Sequence, residues 1–305
     1  MEKAEFESLK WIFDQALRQE INGEYPWNNN LGAKVKFPDT IYHYTDLNGL
    51  LGILLNKSLF ATHFSFLNDC RELLYSKEVV NTFMKNSKEE YSSAFAKSLI
   101  HLTSLEFNSV NLDDTFITCF SRDKDLLSQW RGYSRNNQGV AIGFNMDLRN
   151  SLSPQVDMSY FIEYNKLKQL KILKELIQIS FETLSELKDE YKILQTEFRS
   201  LFSSTVSNML REHLVLFKDA SFSEEKEYRI TTRSKLKAIK YRANNKYIIP
   251  YTEFTFTKRN LLPIEEIVIG PTTNATLIED GVRRLLESNG YINTKVIQSK
   301  IPFRD

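Results

Sequence analysis

The feature that most constrains the fold is a run of more than fifty residues, 165–218, that contains neither glycine nor proline. Leucine and isoleucine recur in this run at intervals of three and four residues, the spacing of one face of an α-helix. The run therefore predicts a helical hairpin or a pair of long helices.

Short runs rich in β-branched and aromatic residues lie on both sides of this helical block. They predict strands over residues 41–45, 58–62, 115–120, 139–144, 227–232, 236–242, 247–256, 266–270 and 294–299. Further helices are predicted over 4–21, 71–84, 89–104, 125–131 and 275–288. Strands in two regions separated by helices indicate an α+β fold with a mixed or antiparallel sheet.

The same pattern predicts the domain organisation. An N-terminal helix and loop occupy residues 1–40, and a single α+β domain occupies 41–305, with 165–218 as a helical insertion. Asp46 is placed to cap a helix, and Asp69 is placed to cap another. The helix after Asp46 is predicted to carry one apolar stripe formed by Leu47, Leu50, Leu51 and Leu54.

Composition narrows the class of protein. The 305 residues are 42% hydrophobic and carry a net charge of +1, so no overall field favours nucleic acid or an anionic membrane, although a local patch is compatible with this balance. Cys70 and Cys119 form no CxxC pair, and the first residues are acidic, unlike a signal peptide. No apolar stretch approaches the roughly 20 residues of a membrane span. A cytoplasmic protein without a membrane partner is expected.

Several common catalytic motifs are absent from the sequence. It contains no GxGxxG, GxxxxGK[ST], GxSxG or HExxH motif. Its four histidines, at positions 43, 63, 101 and 213, are widely separated, so a histidine-built metal site is not expected. These absences argue against a Rossmann dinucleotide turn, a P-loop, a hydrolase nucleophile elbow and a zincin site.

The segment 222–230, FSEEKEYRI, is the strongest candidate for chemistry. On a strand, Glu225, Glu227 and Arg229 would share one face, because alternate side chains point the same way. Neighbouring carboxylates shift each other's proton affinity and suit a cationic or hydroxyl-bearing substrate. The alternative is a solvent-facing strand whose charges form ordinary ion pairs.

Two further groups have both a functional and a structural interpretation. His43 lies on a predicted aromatic strand, where a hydrogen-bonded structural role is common. Trp130 and Tyr133 are three residues apart on a predicted helical turn, which suits core packing. The functional interpretation is a flat ring on which a planar heterocycle stacks.

Seven phrases in order over residues 41–304 resemble the bacterial domain-of-unknown-function family 2971. The likeness excludes the helical insertion, and that family implies no reaction by itself. The phrases are IYHYT, LNDCRE, TCFS, SQWRGYS with GVAIGF, FSEEKEYRI, IVIGP and VIQSKIPFR.

A more distant resemblance is to ADP-ribosyltransferases with an H-Y-E or R-S-E constellation, whose ExE element is similar to Glu225-Lys226-Glu227. It implies a split-sheet core of that type, NAD as substrate and no metal. It also implies that Glu227 stabilises the reacting sugar and that Glu225 orients or deprotonates the acceptor. Tyr133 departs from the family pattern, because it lies in or after a short helix rather than on a middle strand.

The resemblance also assigns residues to the cofactor. His43, with the adjacent Tyr44 and Thr45, is expected to hold the adenosine-side ribose, and Ser121 to sit near the nicotinamide ribose and orient Glu227. Trp130 or Tyr133 is expected to stack on the nicotinamide ring. Arg229 is expected either to bind a pyrophosphate oxygen or to pair with a glutamate.

The expected function is therefore an intracellular NAD-consuming enzyme, a toxin or antiphage defence effector. It would modify a protein or nucleic acid target or hydrolyse NAD, with activation by a partner protein as an open option. A metal-dependent nuclease is a first alternative, because Asp219 followed by Glu224-Glu225-Lys226 resembles an acid followed by ExK. A non-catalytic ligand-sensing or interaction module, with helices 165–218 as its contact surface, is a second.

Overall fold

The structure is a computed structural model that describes residues 3–23, 39–67, 70–109, 115–133, 139–145, 148, 152, 158–233, 238–243, 246–256 and 261–302. These residues divide into two compact units. A helical unit is drawn from Met1–Val35, Asn68–Asp113 and Ile162–Phe222. A sheet unit is drawn from Lys36–Leu67, Asp114–Phe161 and Ser223–Asp305.

The helical unit contains the predicted helical block together with three other helices. The predicted pair of long helices is confirmed as α6 and α7, which lie beside α1, α3 and α4 in this unit. Helix α7 packs against α1, α4 and α6, and α1 packs against α6. The bounds are α1 Lys3–Gly23, α3 Cys70–Glu90, α4 Ala94–Ser109, α6 Lys166–Tyr191 and α7 Gln195–His213.

The sheet unit is built on a mixed ten-stranded sheet, which confirms the predicted α+β class. Helices α2 (Leu47–Asn56), α5 (Leu127–Tyr133) and α8 (Ala275–Ser288) belong to the same unit. The strands are β1 Thr40–Asp46, β2 Ser58–His63, β3 Thr115–Ser121, β4 Gly139–Asn145, β5 Met158–Phe161, β6 Glu227–Arg233, β7 Lys240–Ala243, β8 Ile248–Thr255, β9 Ile264–Ile269 and β10 Lys295–Gln298. Strands β9 and β10 are parallel, and the other pairings between these strands are antiparallel.

The main strand order is β10-β9-β4-β1-β3-β2-β8-β7, with β6 and β5 joined through β3. Strand β3 pairs with β6 along its whole length, from Thr115 to Ser121. Its other pairings are divided, because Phe116 and Ile117 pair with β2 whereas Ser121 pairs with β1. The sheet therefore splits between β1 and β2 at the middle of β3.

A hydrophobic core covers one face of this sheet. Helices α2 and α8 lie against it, and the core includes Ile41, Leu50, Leu54, Phe120, Ile142, Phe144, Tyr228, Ile267 and Leu286. A smaller cluster lies on the opposite face and includes Tyr42, Tyr44, Trp130, Ala141 and Val268. The strict alternation along β1 explains why Ile41 and Tyr42 belong to different clusters.

Most predicted elements are found, with differences in detail; the predicted helices 71–84 and 89–104, for example, are observed as Cys70–Glu90 and Ala94–Ser109. Asp46 caps α2 as predicted, because its Oδ1 accepts a hydrogen bond from the Gly49 N–H at 2.7 Å. The predicted stripe of α2 is wrong at Leu51, which is 40% exposed, and Ile53 is buried instead. Strand β5 was not predicted. Of the predicted strand 236–242, residues 236–237 lie outside the described residues, and the observed strand is Lys240–Ala243. The predicted cap Asp69 lies outside the described residues.

Across the residues described, none of the helices combines the length and the apolar character needed to cross a membrane.

Candidate functional site: the carboxylate at the start of strand β6

Glu227 is the first residue of β6, and Glu225 lies outside the strand. A 3-10 helix over Ala220–Glu225 precedes the strand, and Lys226 between them has a left-handed backbone with φ 44°. A left-handed residue interrupts the alternation of side chains, so the expectation of a shared strand face holds for Glu227 and Arg229 but not for Glu225.

Glu227 and Arg229 form a buried ion pair on one face of β6. Arg229 Nε donates to Glu227 Oε1 at 2.7 Å, and Arg229 Nη2 donates to Glu227 Oε2 at 2.9 Å. The Arg229 side chain is 1% exposed and that of Glu227 is 7% exposed. Two parallel hydrogen bonds from a planar guanidinium fix the orientation of the carboxylate. The glutamate-pairing interpretation of Arg229 is thus the one observed.

Ser121 is the register partner of Glu227 between β3 and β6. Its buried hydroxyl donates to the Glu225 carbonyl at 2.7 Å and accepts from the Asp123 N–H at 3.1 Å. Lys226 Nζ pairs with Asp123 Oδ2 at 2.9 Å. Ser121 therefore fixes the turn that leads into β6, through the Glu225 backbone.

Tyr42 of β1 lies on the same face as Glu227. Tyr42 pairs with Ser121, which pairs with Glu227, and directly paired residues in antiparallel strands point to the same side. The Tyr42 hydroxyl donates to Glu266 Oε1 at 2.6 Å, and Lys124 Nζ lies 3.2 Å from the same oxygen. Burial, followed by the hydrogen bond to Glu266, raises the pKa of Tyr42 well above its usual range.

His43 points to the opposite face of the sheet. Its ring lies 5.6 Å from that of Phe120, a member of the hydrophobic core. His43 Nδ1 lies 2.9 Å from the Cys119 carbonyl, and since a carbonyl only accepts, Nδ1 carries the proton. Burial lowers the pKa of His43, and the Cys119 hydrogen bond opposes that shift. The structure does not bring His43 together with Glu227.

Tyr44 and Trp130 pack against each other. Their ring centroids are 4.7 Å apart in an edge-to-face arrangement, and Trp130 is 4% exposed. Trp130 Nε1 donates to Asp125 Oδ1 at 2.8 Å, and a Cβ added at Gly270 would approach the Trp130 ring to 2.9 Å. The indole is therefore packed against Tyr44 and Gly270 and hydrogen-bonded to Asp125, as the core-packing interpretation of Trp130 requires.

The remaining predicted site residues lie at the ends of elements. Tyr133 is the last residue of α5 and is 37% exposed. Thr45 lies near the end of β1, half-buried, with its side chain against the first turn of α2 at Gly49. Tyr133 is thus the assigned ring that offers the most surface to a ligand.

Tyr42 and Asp123 are site residues that the sequence did not reveal. Tyr42 lies in the IYHYT phrase beside His43, but its face becomes evident only from the pairing of β1 with β3. Asp123 contributes through its backbone N–H to Ser121 and its side chain to Lys226. No pattern in the sequence joins residues about a hundred positions apart.

The described ranges contain no group of three or more His, Cys, Asp or Glu side chains arranged to hold a metal ion. Asp219, proposed for a nuclease site, accepts hydrogen bonds from the Ser221 N–H at 2.9 Å and the Ser221 hydroxyl at 2.7 Å. These two hydrogen bonds lower the pKa of Asp219.

Comparison with known proteins gives a match to one family. No curated protein and no solved structure matches the chain. The matched region runs from α5 to Ile230 in β6 and so includes Trp130, Tyr133, Glu227 and Arg229. Residues 129–230, which include the helical insertion, match the model of the family described as Protein of unknown function (DUF2971), so the resemblance to that family is confirmed over this region.

Proposed function

We propose that the protein is an NAD-consuming enzyme of the ADP-ribosyltransferase kind, with Glu227 as the carboxylate that stabilises the reacting sugar. One observation carries the proposal. Two hydrogen bonds from Arg229 hold the Glu227 carboxylate. This carboxylate lies on the face shared with Ser121 of β3, the strand at which the sheet splits.

The chemistry needs such a group. When the bond between the nicotinamide nitrogen and the ribose C1′ breaks, its electron pair leaves with nicotinamide and positive charge develops at C1′. A carboxylate with a fixed orientation stabilises that charge more in the transition state than in the ground state. Glu227 cannot rotate without losing two charge-assisted hydrogen bonds, so little reorganisation accompanies the reaction.

The acceptor is the oxygen of a hydroxyl group or of water. It forms the new bond to C1′ and gives up a proton, for which we assign Glu225 as the receiving base. The backbone of Glu225 is held by the Ser121 hydroxyl, so Ser121 is a positioning residue in this proposal. A macromolecular acceptor gives transfer, as expected of a toxin or defence effector, and water gives NAD hydrolysis.

The roles of the aromatic residues change from those expected from the sequence. Because the Trp130 ring is packed against Tyr44 and Gly270, we assign stacking on nicotinamide to Tyr133. His43 Nδ1–H donates to the Cys119 carbonyl. We therefore assign His43 a structural role between β1 and β3 and no contact with substrate on the Glu227 face.

The test is release of nicotinamide from NAD by the purified protein, measured with and without cell lysate as a source of acceptor or activator. Glu227→Gln is expected to lower the rate by about 10²- to 10³-fold, the usual effect of removing one preorganised electrostatic group. Glu265→Gln is the matched control, because Glu265 is an exposed carboxylate of the same unit that accepts from Thr40.

Folding is checked by thermal unfolding, because Glu227→Gln leaves the Arg229 guanidinium buried beside a neutral amide. Tyr133→Ala gives a second readout, since loss of an exposed stacking ring is expected to raise KM for NAD and to leave folding intact. Equal turnover by the wild type and folded Glu227→Gln, or intact NAD under every condition, overturns the proposal.

A further inference from the structure

The positive charge of the chain is concentrated in one segment. Residues 233–259 contain eight Lys or Arg and a single acidic residue, Glu253, which leaves +7. The whole chain has a net charge of +1, so the other residues together carry −6. A near-neutral total therefore conceals a strongly basic segment, the charge pattern expected of a surface that contacts a polyanion.

Most of the described part of this segment forms the hairpin of β7 and β8, at one end of the strand order. All four residues of β7 are exposed, including Lys240 and Arg242, and Lys246 is exposed before β8 begins. Lys240 Nζ lies 2.7 Å from Glu253 Oε2, and because the Lys240 side chain is 55% exposed its ammonium group stays accessible to a phosphate. Tyr247 is 61% exposed beside Lys246. The hairpin thus exposes both cationic and aromatic side chains.

A pair of partly exposed rings lies next to these cations. Phe60 on β2 and Tyr251 on β8 have ring centroids 4.4 Å apart with an interplanar angle of 34°. The Arg242 guanidinium carbon lies 5.9 Å from the centre of the Phe60 ring, and Arg242 Nη2 donates to Thr62 Oγ1 at 3.0 Å. Phe60 is 36% exposed. The arrangement offers flat apolar faces directly beside a guanidinium.

We propose that this surface, defined by Phe60, Lys240, Arg242, Lys246, Tyr247 and Tyr251, binds single-stranded nucleic acid. Cations that follow a phosphate backbone, together with rings on which bases stack, are the two requirements for holding a single strand without sequence preference. Lysines on an edge strand also prevent strand pairing between molecules. Protection of an edge does not account for exposed tyrosine and phenylalanine rings, which increase the apolar surface.

The strand residues of this surface, Phe60, Lys240, Arg242 and Tyr251, lie on the same face of the sheet as Glu227. Lys240 pairs with Tyr251, which pairs with Thr62, which pairs with Ile117, and Ile117 is two residues before Cys119 on β3. Side chains of Cys119, Ser121 and Glu227 share that face, because register partners and alternate residues point the same way. The binding surface does not depend on NAD turnover, and it is tested without NAD.

The experiment is fluorescence anisotropy of a labelled single-stranded oligonucleotide with the full chain over a range of salt concentrations. We expect log Kd to rise linearly with log salt. Lys240→Gln combined with Arg242→Gln is expected to reduce that slope by about 1.4, since each phosphate contact to a single strand contributes about 0.7. Phe60→Leu combined with Tyr251→Leu retains apolar side chains, removes the flat rings and is expected to weaken binding by roughly tenfold or more.

Matched controls are available on the helical unit. Lys171→Gln with Lys174→Gln removes two exposed lysines of α6, one of which pairs with Glu175, and Tyr191→Leu removes an exposed ring. These variants are expected to bind as the wild type does. Absent binding, equal binding by the hairpin variants, or preference for vesicles of anionic lipid over the oligonucleotide overturns the inference. Binding to duplex that is insensitive to loss of the rings overturns the single-strand assignment.

Discussion

At the scale of single residues, His43 shows how burial determines a protonation state. Burial lowers the pKa of His43, and Arg242 adds a smaller shift in the same direction, against the raising effect of the Cys119 hydrogen bond. The imidazole is therefore held neutral, with the proton on Nδ1 and a lone pair on Nε2. A neutral histidine satisfies the Cys119 carbonyl at the point where β1 separates from β3 without bringing a charge into the core.

This state predicts a dependence of stability on pH. The folded pKa of His43 lies below the ordinary imidazole value of about 6.5, so the unfolded chain binds a proton that the folded chain does not. The stability that neutral His43 contributes is complete above pH about 6.5 and is lost as the pH falls from 6.5 toward the folded pKa. Wild-type stability is therefore expected to decrease in acid more than that of His43→Asn, which retains a donor for Cys119.

The measurement is urea unfolding of both proteins from neutral to mildly acidic pH. Burial also lowers the pKa of His213, so this residue makes both proteins less stable in acid. Its effect is the same in both and cancels when their free energies of unfolding are subtracted. A neutral His43 is contradicted if the free energy of unfolding of the wild type does not fall relative to that of His43→Asn as the pH is lowered.

At the scale of elements, Asp46 joins β1 to α2. Its Oδ1 accepts from the Gly49 N–H, one of the donors that the first turn of a helix leaves without a partner. Asp46→Ala is expected to lower the free energy of unfolding by about 1 kcal/mol. Asp46→Asn retains an acceptor and is expected to cost less. Chemical denaturation measures both, and equal losses for the two variants contradict the capping role.

Local patterns predicted the elements, whereas pairing between distant segments determined the site. The helical block, the strands and the Asp46 cap follow from periodicity and residue type, which neighbouring residues set by themselves. The face occupied by His43 depends on Ser121 pairing with Tyr42 rather than with its neighbour, and a shift of one residue reverses every side chain. Short strand β5 is set by its pairing with β6.

The run of charges at residues 224–227 shows the same limit within a single segment. Alternation of glutamate and lysine is compatible with a continuous strand, yet Lys226 adopts a left-handed backbone and the strand begins only at Glu227. That conformation is accompanied by contacts from elsewhere in the sheet unit, namely the Ser121 hydroxyl on the Glu225 carbonyl and Asp123 on Lys226. The Glu227–Arg229 pair could be anticipated from the sequence, because residues two apart on one strand point to the same face.

At the scale of the molecule, the residues proposed for catalysis and binding all belong to one of the two units. The candidate carboxylate, Ser121 and the basic hairpin belong to the sheet unit. The helical unit is assembled from three separate stretches of chain, and its helices bury apolar faces against one another: Phe13 and Leu17 of α1 and Leu201 of α7 are all 0% exposed. A unit in which each helix depends on helices from other stretches is expected to lose structure as a whole.

The prediction is that Leu201→Asp increases hydrogen exchange of α1, α4 and α6 together with α7, although residues 3–23 lie far from position 201 in sequence. A carboxylate in this core has no compensating partner in a leucine site, so opening the unit relieves its desolvation cost. Ser200→Asp is the matched control, because Ser200 is the exposed neighbour on the same turn of α7 and its substitution is expected to leave exchange unchanged. Increased exchange confined to α7, with α1 still protected, would show that the three stretches fold independently of one another.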